Sequence, residues 1–198
     1  MKILVKLVQH PFFIDEYHCL KVAEILGKFC EKVHQNKNGA ALVLIASLFF
    51  TVNTYAEQVK IKSFQKESYQ KILTQYKGQP LVLILWSVTC SSCLSEMALI
   101  QQVHQQYPKL NMLMLSVDGP EFHQEMMQII QQQKLSTMEH WGFAEDNSPA
   151  LRYAVDSRWY GELPRTYFFD REHHKTGISG VLSHKQYDET ITQIMQLK

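Results

Sequence analysis

Cys90 and Cys93 stand three apart in the stretch "WSVTCSSCLSEM", directly after the apolar run "LVLILW". A cysteine pair at this spacing can bind a metal, close a structural bridge, or exchange electrons with other thiols. Zinc needs four ligands in a closed site, and the sequence offers no second C-x-x-C and no H-x-x-x-H cluster. His173 and His174 read as a surface turn pair, so no metal is expected. A bridge over so short a loop constrains the unfolded chain little and stabilises little. Redox exchange has the better physical case. Cys90 falls at the mouth of a strand and Cys93 one turn into the next helix, where free N–H groups and a partial positive charge favour a thiolate. Lowering a thiol pKa from about 8.5 to about 7 makes roughly half of it thiolate at neutral pH. On this reading Cys90 is the exposed nucleophile and Cys93 resolves the mixed disulfide.

The flanking pattern supplies the elements that must position this pair. "QVKIKSF" (58–64) alternates and predicts a short strand, and "KESYQKILTQY" (66–76) a helix stopped by Gly78 and Pro80. "LVLILWS" (81–87) is continuously apolar, as in a central strand buried on both faces. A helix follows from Ser91 to Tyr107, with Leu94, Met97, Ala98, Ile100 and Val103 as its inner face. "LNMLMLSV" (110–117) predicts a second buried strand. "PEFHQEMMQIIQQQK" (120–134) predicts a helix opened by proline. "HWGF" reads as a short strand, and "SPALRYAV" as a short helix opened by Ser148 and Pro149. "RTYFFD" (165–170) and "GISGVL" (177–182) predict two strands joined by a turn, and the chain closes with a helix capped by Ser183. Strands alternating with helices, then a hairpin and a last helix, imply an α/β fold with a central mixed sheet flanked by helices.

With these residues in order, the chain resembles the TlpA-like branch of the thioredoxin superfamily. Trp86, Cys90-Ser91-Ser92-Cys93 and then Glu96-Met97 are similar to the family's W-x-x-x-C-x-x-C-x-x-E-[MF]-P. "LSVDG" is similar to its next strand, "YGELPRTYFFD" to its x-P-x-T segment, and "KTGISG" to the strand after that. The resemblance runs from about residue 60 to 197. It implies a thioredoxin-like thiol–disulfide oxidoreductase that needs no cofactor, with Pro164 as a cis-proline facing the pair. Leu163's backbone would then turn toward the sulfurs, ready to pair with an extended substrate. Trp86 reads either as packing beneath the site or as plain core. Glu96 reads either as a proton donor and acceptor during exchange or as a solvated helix carboxylate. Arg165, next to the proline, reads either as raising the local potential or contacting partners, or as plain surface, with surface preferred.

The departures are informative. Thr89 stands where many members carry a bulky residue before the first cysteine, and its hydroxyl is placed to donate to the Cys90 sulfur. Ala98 replaces a common helix proline, so the kink should be missing. Ile84 occupies the place of a buried aspartate found in many thioredoxins, which leaves Glu96 as the nearby carboxylate.

The first 56 residues differ from the rest. Lys37 precedes an apolar run, Ala40–Val52, and "TYA" precedes Glu57. The run is shorter than the roughly 20 residues of a membrane span and fits a secretory h-region of about 7–15. The expectation is an N-terminal extension and signal peptide over 1–56, h-region 40–52, cut after Ala56, and a thioredoxin-like domain over 57–198. An uncleaved segment would instead tie the protein to the membrane. Residues 1–36 make an unusually long n-region, explained either by a translation start nearer Val33 or by a true cytoplasmic extension. Of four cysteines, two lie upstream of the cut. A single C-x-x-C in an exported chain does not make a disulfide-stapled scaffold.

A formal net charge of +1 gives no reason to expect a nucleic-acid partner. The resemblance implies a periplasmic or otherwise exported reductant. Its partners would be exported cysteine-containing proteins, apocytochromes c among the candidates, and a membrane thiol electron donor. The rivals are an oxidase or isomerase of the same fold and a non-catalytic binding module. Copper carriers of this fold usually show C-x-x-x-C with a distant His, and a peroxidase would need P-x-x-x-T-x-x-C. Neither pattern is present.

Overall fold

A computed structural model describes residues 59–196 of the chain. The N-terminal extension, the h-region and the cut site lie outside the described residues.

Six strands form one sheet in the order β1-β4-β3-β2-β5-β6. They are β1 (Ile61–Phe64), β2 (Leu81–Trp86), β3 (Asn111–Ser116), β4 (Glu139–Phe143), β5 (Arg165–Phe169) and β6 (Lys175–Ser179). Neighbours from β1 to β2 run parallel, while β5 is antiparallel to both β2 and β6. The helices are α1 (Ser68–Gln75), α2 (Ser91–Gln106), α3 (His123–Gln132), α4 (Pro149–Val155) and α5 (His184–Gln196). The sheet is mixed and flanked by helices, as the element order in the sequence implies.

The continuous apolar character of β2 has a direct cause. Every residue of the strand is buried, and successive side chains alternate between two cores. Val82, Ile84 and Trp86 join the core that contains Met97, Ile100, Phe168, Tyr187 and Ile191, under α2 and α5. Leu81, Leu83 and Leu85 join the core that contains Tyr69, Ile72, Leu151, Val155, Tyr167 and Phe169, under α1 and α4. A polar residue at any of these six positions would be stranded in one core or the other.

Three local expectations need correction. The last strand is β6, Lys175–Ser179, and not 177–182, because Gly180 at φ 89° turns the chain away. On α2, Ala98 is exposed and Glu96 takes a buried place among Met97, Ile100 and Val103. Arg165 does not sit loosely on the surface. Its guanidinium lies over the Tyr167 ring, 4.8 Å from the centroid, and donates to Ser179 Oγ at 2.6 Å. Gly177 admits it, since a Cβ there would overlap the guanidinium. Arg165 therefore faces the side of the sheet opposite Cys93.

Candidate active site

The site forms where β2 ends and α2 begins. Cys90 is the N-cap of α2, with extended backbone, and its sulfur accepts a hydrogen bond from Cys93 N at 3.1 Å. A thiolate at this position is thus held by the helix's own free N–H groups and by its dipole. The two sulfurs are bonded to each other, with 5.2 Å between the Cα atoms. Cys93 is only 2% exposed, whereas Cys90 is partly exposed. An incoming sulfur can reach Cys90 and not Cys93. Ser92 Oγ lies 3.4 Å from the Cys90 sulfur, and Ser91 is exposed.

The Leu163–Pro164 peptide bond is cis. Pro164 is buried, and its carbonyl accepts from Gly180 N at 2.8 Å. Leu163 and Cys90 line one cavity of about 290 Å³, together with Thr89, Phe122, Asp118 and Arg152. Trp86 is 2% exposed in the same core as Cys93 and Met97, so its two readings, beneath the site and in the core, coincide.

Thr89 does not meet the expectation for its hydroxyl. Thr89 Oγ1 pairs with Ser87 Oγ at 3.0 Å, and Thr89 N donates to the same oxygen. The hydroxyl recorded beside the Cys90 sulfur belongs to Ser92.

Glu96 is 2% exposed, which overturns the solvated-carboxylate reading. Its Oε1 accepts from Leu182 N at 2.8 Å and from Tyr187 O–H at 3.2 Å, while Oε2 is buried without a partner. Burial pushes the carboxyl above the usual carboxylate range, and the two hydrogen bonds offset only part of that. Glu96 follows Cys93 by one helical turn and shares its face.

Asp118 escaped the sequence reading. It lies two residues past β3, is 5% exposed and lines the Cys90 cavity. Its Oδ1 accepts from Ser87 Oγ at 2.7 Å, and its Oδ2 accepts from Val88 N at 2.8 Å and from Ser116 Oγ. The signal was available: a lone carboxylate closing the buried run "LNMLMLSVD", at the same end of the sheet as Trp86. Among the described residues, no three His, Cys, Asp or Glu side chains are placed to hold a metal ion.

The sequence pattern of the AhpC/TSA family matches residues 52–174, more than half of the chain. The chain belongs to the AhpC/TSA family. No curated protein matches it. Among solved structures it is similar to MTB dsbF, in mixed oxidised and reduced forms, at 19% identity and TM-score 0.51 over 61% of this chain and 84% of that one. It is also similar to a secreted Mycobacterium tuberculosis disulfide oxidoreductase homologous to E. coli DsbE, at 15% identity and TM-score 0.51, covering 61% and 85%. A thiol:disulfide interchange protein from Chlorobium tepidum TLS matches at 16% identity and TM-score 0.51, covering 62% and 83%. These likenesses establish a thioredoxin-like fold for this AhpC/TSA chain. Among the described residues, no helix is long and apolar enough to cross a membrane.

Proposed function

We propose that the protein is an exported thiol–disulfide oxidoreductase that reduces disulfides in exported cysteine-containing proteins. The observation that carries this reading is the asymmetry of the cysteine pair. One sulfur is reachable at a helix N-terminus beside Leu163, and the other is buried one turn further in. The secreted oxidoreductase among the similar structures supports export, as does the signal-peptide pattern over residues 1–56.

In the reduced protein, the Cys90 thiolate attacks one sulfur of a substrate disulfide. An S–S bond forms to Cys90, and the substrate's other sulfur leaves as a thiolate. Cys93, deprotonated in turn, attacks the Cys90 sulfur, forms the internal bond and expels the second substrate thiolate. Two electrons pass from the protein dithiol to the substrate. The two protons released by Cys90 and Cys93 balance those taken up by the substrate thiolates. Glu96, one helical turn after Cys93 and with an unpaired Oε2, is the carboxyl that exchanges a proton with Cys93 during the reaction. Leu163, ahead of the cis bond, offers its backbone to an extended substrate segment. A membrane thiol donor would restore the dithiol.

Cys93→Ser tests the reading. It should accumulate mixed disulfides through Cys90, while Cys90→Ser should accumulate none, and the trapped proteins name the substrate class. Labelling of Cys93 before Cys90 by an alkylating agent at neutral pH reverses the assignment. A reduction potential near about −270 mV identifies a reductant, and one near about −120 mV an oxidant. Export is checked by fusing residues 33–60 to an export-dependent reporter. An inactive fusion removes the compartment argument.

A further inference from the structure

A hydroxyl carries one proton, and an ionised carboxylate can only accept. These two rules fix the direction of the hydrogen-bond chain beside Cys90. Ser87 Oγ gives its proton to Asp118 Oδ1. The same oxygen can then only accept from Thr89, which supplies both its N–H and its O–H. The chain runs Thr89 to Ser87 to Asp118, so the Thr89 proton is turned toward Ser87. Asp118's other oxygen is occupied by Val88 N and Ser116 Oγ, which pins the carboxylate in place. Cys90 N donates to the Ser87 carbonyl at 3.1 Å, so the same turn sets the cysteine backbone.

We propose that Asp118 is a positioning residue for the reactive cysteine, one that holds the Ser87–Thr89 turn and orients its hydroxyl protons away from the Cys90 sulfur. The proposal rests on Cys90 being the exchanging sulfur. Its chemical consequence is that, among the described residues, the donors left to a thiolate at Cys90 are Cys93 N and the Ser92 hydroxyl. Fewer donors leave the sulfur more basic and a better nucleophile once ionised. The charged groups facing Cys90 are Asp118, Asp146 and Arg152, which line the cavity, and the Cys93 thiol on α2.

Asp118→Asn changes orientation and charge together, and a Thr89→Val background tells the two apart. The amide oxygen can still accept from Val88 N and Ser116, but the amide nitrogen now donates to Ser87 Oγ. Ser87 must then donate to Thr89, and the Thr89 proton is freed from Ser87 into the cavity that Thr89 and Cys90 both line. The direction of the whole chain reverses with almost no change in shape.

The experiment is a pH titration of Cys90 in the reduced protein, followed by alkylation rate with site assignment by mass spectrometry. It requires no substrate, so it reads the proposal independently of the reductase assay that tests the function. Asp118→Asn should lower the Cys90 midpoint by about one unit. In a Thr89→Val background, the same substitution should produce less than about half of that shift, because no hydroxyl remains to turn. Ser87→Ala breaks the chain in its middle and should lower the midpoint in the same direction, which keeps the test available if Asp118→Asn folds poorly. An equal shift with and without Thr89 would mean that Asp118 acts through its charge alone and would overturn the proposal. An unmoved midpoint in both Asp118→Asn and Ser87→Ala would also overturn it.

Discussion

Two buried carboxylates flank the cysteine pair, and they are held in opposite ways. Asp118, on the Cys90 side, has a donor at each oxygen: Ser87 at one, Val88 N and Ser116 at the other. Glu96, on the Cys93 side, has two donors on Oε1 and none on Oε2. A carboxylate surrounded by donors fixes geometry, because moving it breaks several bonds at once. A carboxylate with an orphan oxygen in an apolar core favours its protonated form and can hand that proton on. The pair thus lies between a rigid acceptor and a proton reservoir.

The largest test of this contrast is Asp118→Ala against Glu96→Ala. The first leaves Val88 N and two hydroxyls without their acceptor in a buried turn and should cost about 3 kcal/mol in denaturant unfolding of the oxidised protein. The second strands two buried donors, Leu182 N and Tyr187 O–H, but also removes an unpaired buried oxygen, and should cost about 2 kcal/mol. Equal losses would break the comparison.

Next in size is the pH dependence of stability. The folded Glu96 carboxyl titrates above its ordinary value, so between the two values the folded protein binds more protons than the unfolded one. Stability from this group is fully present below the unfolded pKa and falls as pH rises through the folded pKa. The fall is about 1.4 kcal/mol for each unit by which the carboxyl is raised. Glu96→Gln should abolish that slope in unfolding curves taken across the window. A slope that survives the substitution belongs to another group.

Tyr187→Phe sharpens the same point with a smaller effect. Loss of the Tyr187 donor withdraws support from the ionised form and should move the Glu96 titration up by about half a unit, followed by carboxyl infrared or NMR signals. A downward move would mean that Tyr187 does not favour the charged carboxylate. The smallest effect is expected from Ser92→Ala. Its hydroxyl lies at the long end of hydrogen bonding to the Cys90 sulfur, and its loss should raise the Cys90 midpoint by about 0.3 units.

Much of this arrangement could be read from residue order. The two-sided burial of β2 followed from an unbroken apolar run, and the place of Cys90 at a helix start from strand, pair and periodic helix in sequence. What escaped the reading depends on long-range company. Glu96 shows the spacing of an inner-face residue on α2, but its polarity argued for solvent, and only Leu182 and Tyr187 explain its burial. Ala98 was misplaced for the converse reason, since its apolar character argued for the inner face. Asp118 carried no reading of its own, because its donors Ser87 and Val88 lie on the β2–α2 turn of the neighbouring strand. Thr89's hydroxyl was assigned to the nearest sulfur along the chain, when a serine two residues back was the better acceptor.

The two flanks of the cysteine pair also differ in how far along the chain their partners lie. Asp118 closes on Ser87 and Val88 across 31 and 30 residues, whereas Glu96 waits for Leu182 and Tyr187, 86 and 91 residues away. The longer closure costs about 1 kcal/mol more in chain entropy, and its partners are synthesised later. In a chain that folds as it emerges, the turn that presents Cys90 can be fastened as soon as β3 docks on β2. The pocket that isolates Cys93 is sealed only when the C-terminal helix arrives. A chain ending before α5 would therefore present the nucleophile while its resolving partner still lay open.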